Sequence, residues 1–218
     1  MTPDFKIDAE AVGALIVASN NPDLFLGVTH TSYKVISEKL PSQLSILTET
    51  KKDGETDEQA LSRMLRVEEL IVGGVSDRNS IGGIHLATSI LETSQGNARL
   101  ETYFFQTSTD AEIQIIDGEI DRVGWVLKQT VADAPQGVWW IRWPVAAALE
   151  DSKAWLNNPE SYHPRYSIKH KFRVPWQVFE LMDQGISERE ALSRLGLHAP
   201  DQPLPYFFDR LISKQVLV

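Results

Sequence analysis

The residues with the clearest chemical potential lie between positions 49 and 71. Glu49, Glu55, Glu58, Glu68 and Glu69 set carboxylates around the loop Lys51-Lys-Asp-Gly54 and the helical stretch that follows it. Carboxylate oxygens are hard donors, the kind that magnesium gathers in an octahedron. Helical separations of three and four residues place positions 64, 67, 68 and 71 on one face. That face reads Met64, Val67, Glu68 and Ile71. A single glutamate among a thioether and branched alkyl groups is a poor cage for a hard cation. Arg63 is positioned to act as a clamp, pairing with Glu55 or Glu68 across the loop.

Other chemistries are excluded by composition. The chain has no cysteine, which removes disulfides, thiolate metal sites and thiol nucleophiles. Its five histidines, at 30, 85, 163, 170 and 198, show no paired ligand spacing. No Gly-x-Ser-x-Gly elbow, P-loop or dinucleotide glycine fingerprint occurs. With 218 residues, 42% of them hydrophobic, the chain is long enough for one generous domain or one domain with an appendage. Residues 1–160 carry 13 basic and 24 acidic side chains, and residues 161–218 carry 8 and 6. An acidic body repels nucleic acid, so DNA binding would fall to the tail. No apolar stretch is long enough to span a bilayer and no secretory leader is visible, so a cytoplasmic protein without a membrane partner is expected.

The elements that must position the carboxylates can be read from pattern. Ala11–Ala18 and Leu24–Val28 flank the turn Asn20-Asn-Pro-Asp23 and predict a hairpin. Thr56 and Gln59 form a capping box, and apolar residues at 60, 64, 67 and 71 predict a helix ended by Gly73-Gly74. Strands are expected over 82–90, 98–107, 112–116 and 123–127. Pro144 opens a helix reaching about Leu156. The cluster Trp139-Trp-Ile-Arg-Trp143 could stack a base, but such residues more often anchor a core or interface, and that reading is preferred.

The segment 44–71 resembles the Nudix box, a strand–loop–helix element. Gly54, Glu55, Ala60, Arg63, Leu65, Glu68 and Ile71 stand on matching positions. Glu49 replaces the first glycine, Met64 and Val67 replace two of three helix glutamates, and Leu70 replaces the last glycine. Gly118-Glu-Ile-Asp-Arg-Val-Gly-Trp-Val126 resembles the family's late strand. The resemblance covers roughly residues 8–156. It implies an α+β fold, an α/β/α sandwich with a mixed sheet, and a ligand that is nucleotide-like or contains a diphosphate. Glu55, Arg63 and Trp125 are weak ligand-binding candidates, and Glu68 is the one metal-ligand candidate. If hydrolysis survives, Glu68, Glu69 and Glu119 are its candidates, with Mg2+ or Mn2+. Loss of two metal carboxylates favours a non-catalytic binder.

Beyond position 158 the expected division is a connector over 159–174 and a small helical module over 175–218. Pro175 opens one helix, Gly185 closes it, and Ser187 with Glu190 caps a second that ends at Gly196. A third helix is expected over Tyr206–Ser213. The cadence is that of a helix-turn-helix, and the whole chain is loosely similar in architecture to Nudix-related transcriptional regulators with a winged helix. The third helix offers Tyr206, Phe207 and Phe208 and few base-reading groups. These aromatics are expected to form a packing or protein-binding surface, so a protein partner or a homodimer is favoured over DNA.

Overall fold

At the centre of the sheet, Ala9–Ala18 (β1) is apolar on both sides from Val12 onward, because both of its faces and both of its edges are covered. Residues of alternating parity point to opposite faces, so Val12, Ala14 and Ile16 enter one core while Leu15 and Val17 enter another. One edge of β1 takes Leu24–His30 (β2) and Leu47–Thr50 (β3), both antiparallel. The other edge takes Gly96–Thr107 (β6), parallel, from Ala9 opposite Ala98 to Ala18 opposite Thr107. The computed structural model describes residues 6–33, 39–68, 70–76, 81–93, 96–116, 118–134, 138–170, 175–197 and 210–211. For 67–68, 92–93, 167–170 and 210–211 it describes the backbone alone.

The expected hairpin is β1–β2, and the expected capping box opens helix α1, Asp57–Arg63. The helix does not run to Gly73-Gly74. It widens into one π-helical turn, Met64–Glu68, and then gives way to a strand, Leu70–Val72 (β4). Ile71 therefore lies opposite Gln114 in a two-stranded ladder with Ile113–Ile115 (β7), and the expected face of 64, 67, 68 and 71 does not exist. Gly73 and Gly74 form the turn after β4, where Gly74 has φ +77°.

Ile84–Thr93 (β5) pairs antiparallel with β6, and Ile120–Leu127 (β8) pairs antiparallel with β2. A five-residue helix, Lys128–Ala132 (α2), follows β8, and Trp143–Asn157 (α3) has Pro144 in its first turn. The core on the α1 side joins Met64, Leu61 and Trp125 to β1 and β2. The core on the α3 side joins Val145 and Ala148 to Leu15, Val17 and Phe104. Helices on both faces of a mixed sheet make the α/β/α sandwich.

The expected connector contains a strand. Arg165–His170 (β9) adds to β5 in parallel and extends the sheet. Helices Trp176–Asp183 (α4) and Glu188–Arg194 (α5) follow, with Gly185 at φ +83° between them. Val178, Phe179, Ala191 and Leu192 pack on Leu40 and Trp139 of the body. Glu188 accepts hydrogen bonds from the Ser42 hydroxyl and backbone N–H. Arg210–Leu211 (β10) pairs antiparallel with Trp125 and Gly124. The expected third helix is therefore extended at these two positions, and Tyr206, Phe207 and Phe208 lie outside the described residues. The tryptophan cluster is structural: Trp139 joins the α4–α5 core, Trp143 packs on Leu91 and Leu100, and buried Arg142 donates to the hydroxyls of Ser45 and Thr48.

Candidate functional site

The loop from β3 to α1 is built around Arg63. Gly54, at φ +75°, turns the chain, and the Glu55 N–H donates to the Lys52 carbonyl. The Thr56 hydroxyl accepts from the Gln59 N–H, and the Gln59 side chain accepts from the Thr56 N–H, which fixes where α1 starts. One turn later, Arg63 projects back across the loop. Its Nε and Nη2 donate to both oxygens of Glu55 at 2.9 and 2.8 Å, Nη2 also donates to the Thr50 carbonyl, and Nη1 lies 3.0 Å from Glu49 Oε1. Glu49, which replaces a glycine of the box, becomes a third point of this clamp. Bidentate pairing of this kind is strong and geometrically specific. Hydrogen bonds from Arg63 hold the Glu55 carboxyl down at about 2, outweighing the upward push of burial.

The other expected site residues are distributed as follows. Met64 is fully buried in the α1-side core, so its thioether faces packed hydrocarbon. Trp125 is also fully buried there, packed in the same core. Glu119 precedes β8 and lies 3.8 Å from the buried Lys39 ammonium. The side chain of Glu68 and the whole of Glu69 lie outside the described residues. The box thus brings Glu49, Glu55 and Arg63 together, with both Glu55 oxygens engaged. The described donors do not fit a magnesium ion. A thioether replaces one carboxylate, and a guanidinium occupies another.

A polar network beside α1 escaped the sequence reading. Glu10, Arg99, Glu101 and Tyr103 share the parity of Val12 and Phe105, so they continue the α1 face of the sheet beyond its apolar part. Arg99 joins Glu10 at 2.6 Å and Glu101 at 3.4 Å. Lys51 joins Glu10 at 3.2 Å and Asp57 at 2.7 Å, and the Tyr103 hydroxyl donates to Asp57 at 2.6 Å. Glu101 also meets His85 Nε2 at 2.8 Å and accepts from the Thr88 hydroxyl. The His85 and Tyr103 rings lie 5.1 Å apart.

The hydrogen bond to Glu101 raises the His85 pKa, against burial. Burial pushes Glu101 up, but His85 and Thr88 together bring it below its ordinary value. Asp57 behaves alike, with Lys51 and Tyr103 overcoming burial. The signal for this network was the charged side of the alternation in 98–105, interpretable once the parallel partner strand is known. Chemically, the face holds two cations paired with the carboxylates of Glu10, Asp57 and Glu101, together with an imidazole and a phenol ring beside the box loop.

No protein-family model matches the chain, and no curated protein matches it in sequence. Solved structures do match in shape. The Nudix domain of Shewanella oneidensis NrtR, complexed with ADP-ribose, superposes with a TM-score of 0.52 at 17% identity, covering 72% of this chain and 93% of that one. A Nudix hydrolase from Nitrosomonas europaea is 21% identical, with a TM-score of 0.46 and coverage of 68% and 90%. A Caenorhabditis elegans Ap4A hydrolase in a binary complex is 15% identical, with a TM-score of 0.47 and coverage of 68% and 96%. The sandwich order, the capped helix after a glycine loop and the NrtR superposition agree: this chain has the Nudix fold.

Proposed function

We propose that the chain binds a nucleotide-like, diphosphate-containing ligand on the α1 side of the sheet and does not hydrolyse it. The observation that carries this reading is Met64, fully buried where the box requires a carboxylate. Hydrolysis in this family depends on cations that neutralise phosphate charge and activate water. Here one such position faces the core, and Glu55 is held by Arg63. What remains beside the loop is a polar surface: Arg99 and Lys51, which share Glu10, would exchange that partner for anionic oxygens, and His85 and Tyr103 would face a ring. The ADP-ribose complex of the NrtR Nudix domain supports a ligand of that chemistry. Calorimetric titration with ADP-ribose should give the same affinity with and without magnesium, and anion-exchange chromatography should show no cleavage. Metal-dependent turnover near 1 per second, abolished by Glu68→Gln, would establish instead the hydrolase that uses Glu68, Glu69 and Glu119.

The tail reads best as a module for a protein partner or a second copy of the chain. The two-residue strand β10 at Arg210–Leu211 disfavours a recognition helix there. A mobility-shift screen against random duplexes at low salt should show no selective enrichment.

A further inference from the structure

On the face of the sheet opposite α1, a cavity of about 970 Å³ opens between α2 and α3. Ligand cavities commonly measure about 300–1,000 Å³. Small side chains make the room: Ala132 on α2 faces Ala146 and Ala147 on α3, with Val131 and Trp143 completing an apolar wall.

Asp23, Lys128, Glu150, Asp151, Lys153 and Arg165 bring three anions and three cations to this cavity, and they are unevenly paired. At the β9 end, Arg165 already holds Glu150 at 3.3 Å and Asp151 at 3.5 Å. Asp151 is 5% exposed. Burial raises its pKa, with Arg165 opposing. Lys128 forms no ion pair with any described residue. Burial lowers its pKa, and the charge of Asp23 compensates only in part. A half-buried ammonium at an apolar wall gains most from an arriving anion. The carboxylates at the far end repel a second negative charge, which disfavours polyphosphates.

We propose that the α2–α3 cavity is a second binding site, for a small monoanion with an apolar body, of the class of medium-chain carboxylates. The carboxylate pairs with Lys128, and the chain lies along Ala132, Ala146 and Ala147. This site is separate from the box loop and takes a different kind of ligand.

Calorimetry of the full chain with sodium decanoate, and with decanol as the uncharged counterpart, tests it. Saturable decanoate binding at least tenfold tighter than decanol is expected. Lys128→Gln should remove that preference, and Ala147→Trp, which fills the cavity, should weaken decanoate at least tenfold. Circular dichroism verifies the fold of each variant, and Lys128→Gln decides the matter should Ala147→Trp not fold. ADP-ribose titrations should be unchanged in both variants, so the two sites fail or stand independently. Absence of saturable decanoate binding, equal affinity for decanol, or affinity unmoved by Lys128→Gln would overturn the proposal.

Discussion

Helices α1 and α5 open on the same signal and are held in place by opposite means. Thr56 and Gln59 cap α1 reciprocally, and Ser187 accepts from the Glu190 N–H at the start of α5. Glu190 itself pairs with Arg194 one turn on, at 2.5 Å. Beyond its cap, α1 is anchored by the Arg63–Glu55–Glu49 ion cluster on one side and by Met64 in the core on the other. Helix α5, with α4, is held mainly by an apolar contact of Phe179, Val178 and Leu192 with Leu40 and Trp139. A cap fixes where a helix begins. What the helix packs against is decided elsewhere in the chain.

The strongest way to break this comparison is to put a carboxylate into the core at Met64, the first residue of the π turn after α1. Met64→Glu should destabilise the body by about 5 kcal/mol at pH 8, since a fully buried glutamate titrates some three to four units high. The folded-state pKa is raised in that variant, so the loss should grow as pH rises above about 4.5 and shrink in acid; denaturant melts at pH 5 and pH 8 measure it. Phe179→Ala should cost about 4 kcal/mol, confined to the α4–α5 contact. Limited proteolysis should then release the tail while the Trp125 core stays protected.

Arg63→Ala should cost about 2 kcal/mol at pH 7, with part of the pair's value screened by solvent. The folded pKa of Glu55 is depressed to about 2 from 4.5, so its stabilisation is full above about 4.5 and is lost as pH falls towards 2. The gap between wild type and variant should narrow over that window in urea titrations. Smallest is the cap pair. Thr56→Ala should cost about 1 kcal/mol and Ser187→Ala about half of that, because Ser187 lacks the reciprocal bond. Equal losses would mean that reciprocity adds nothing here.

Much of the central architecture was legible because its strands carry strong apolar runs and its helices carry caps. The β1–β2 hairpin, the start of α1, the span of α3 and the two helices after Pro175 follow from local chemistry. Three features were not legible, each for a physical reason. Residues 64–68 keep an α-like apolar spacing, and the π turn is dictated by the strand that follows it. The sequence Arg-Tyr-Ser-Ile-Lys-His of β9 is basic, as suits an edge strand guarded against association, and so it reads as a connector. Helix α2 has five residues, too few for any period to show. At the site, Arg63 as a clamp followed from its distance to Glu55, whereas the Arg99–Glu101–His85 network depends on non-local pairing.

The parallel seam between β1 and β6 also governs how the chain is made. Asp8 and Asn97, at one end of that seam, are 89 residues apart in sequence. During synthesis, β1 can close on β2 and β3 almost at once, but its other edge waits for residues 96–107. Until then the nascent chain presents an unpaired strand edge, apolar from Ala11 to Ala18, a template for pairing with another chain. Folding is therefore slow by topology. Truncation after β5 should yield aggregates, since the strand that seals the centre of the sheet has not yet emerged.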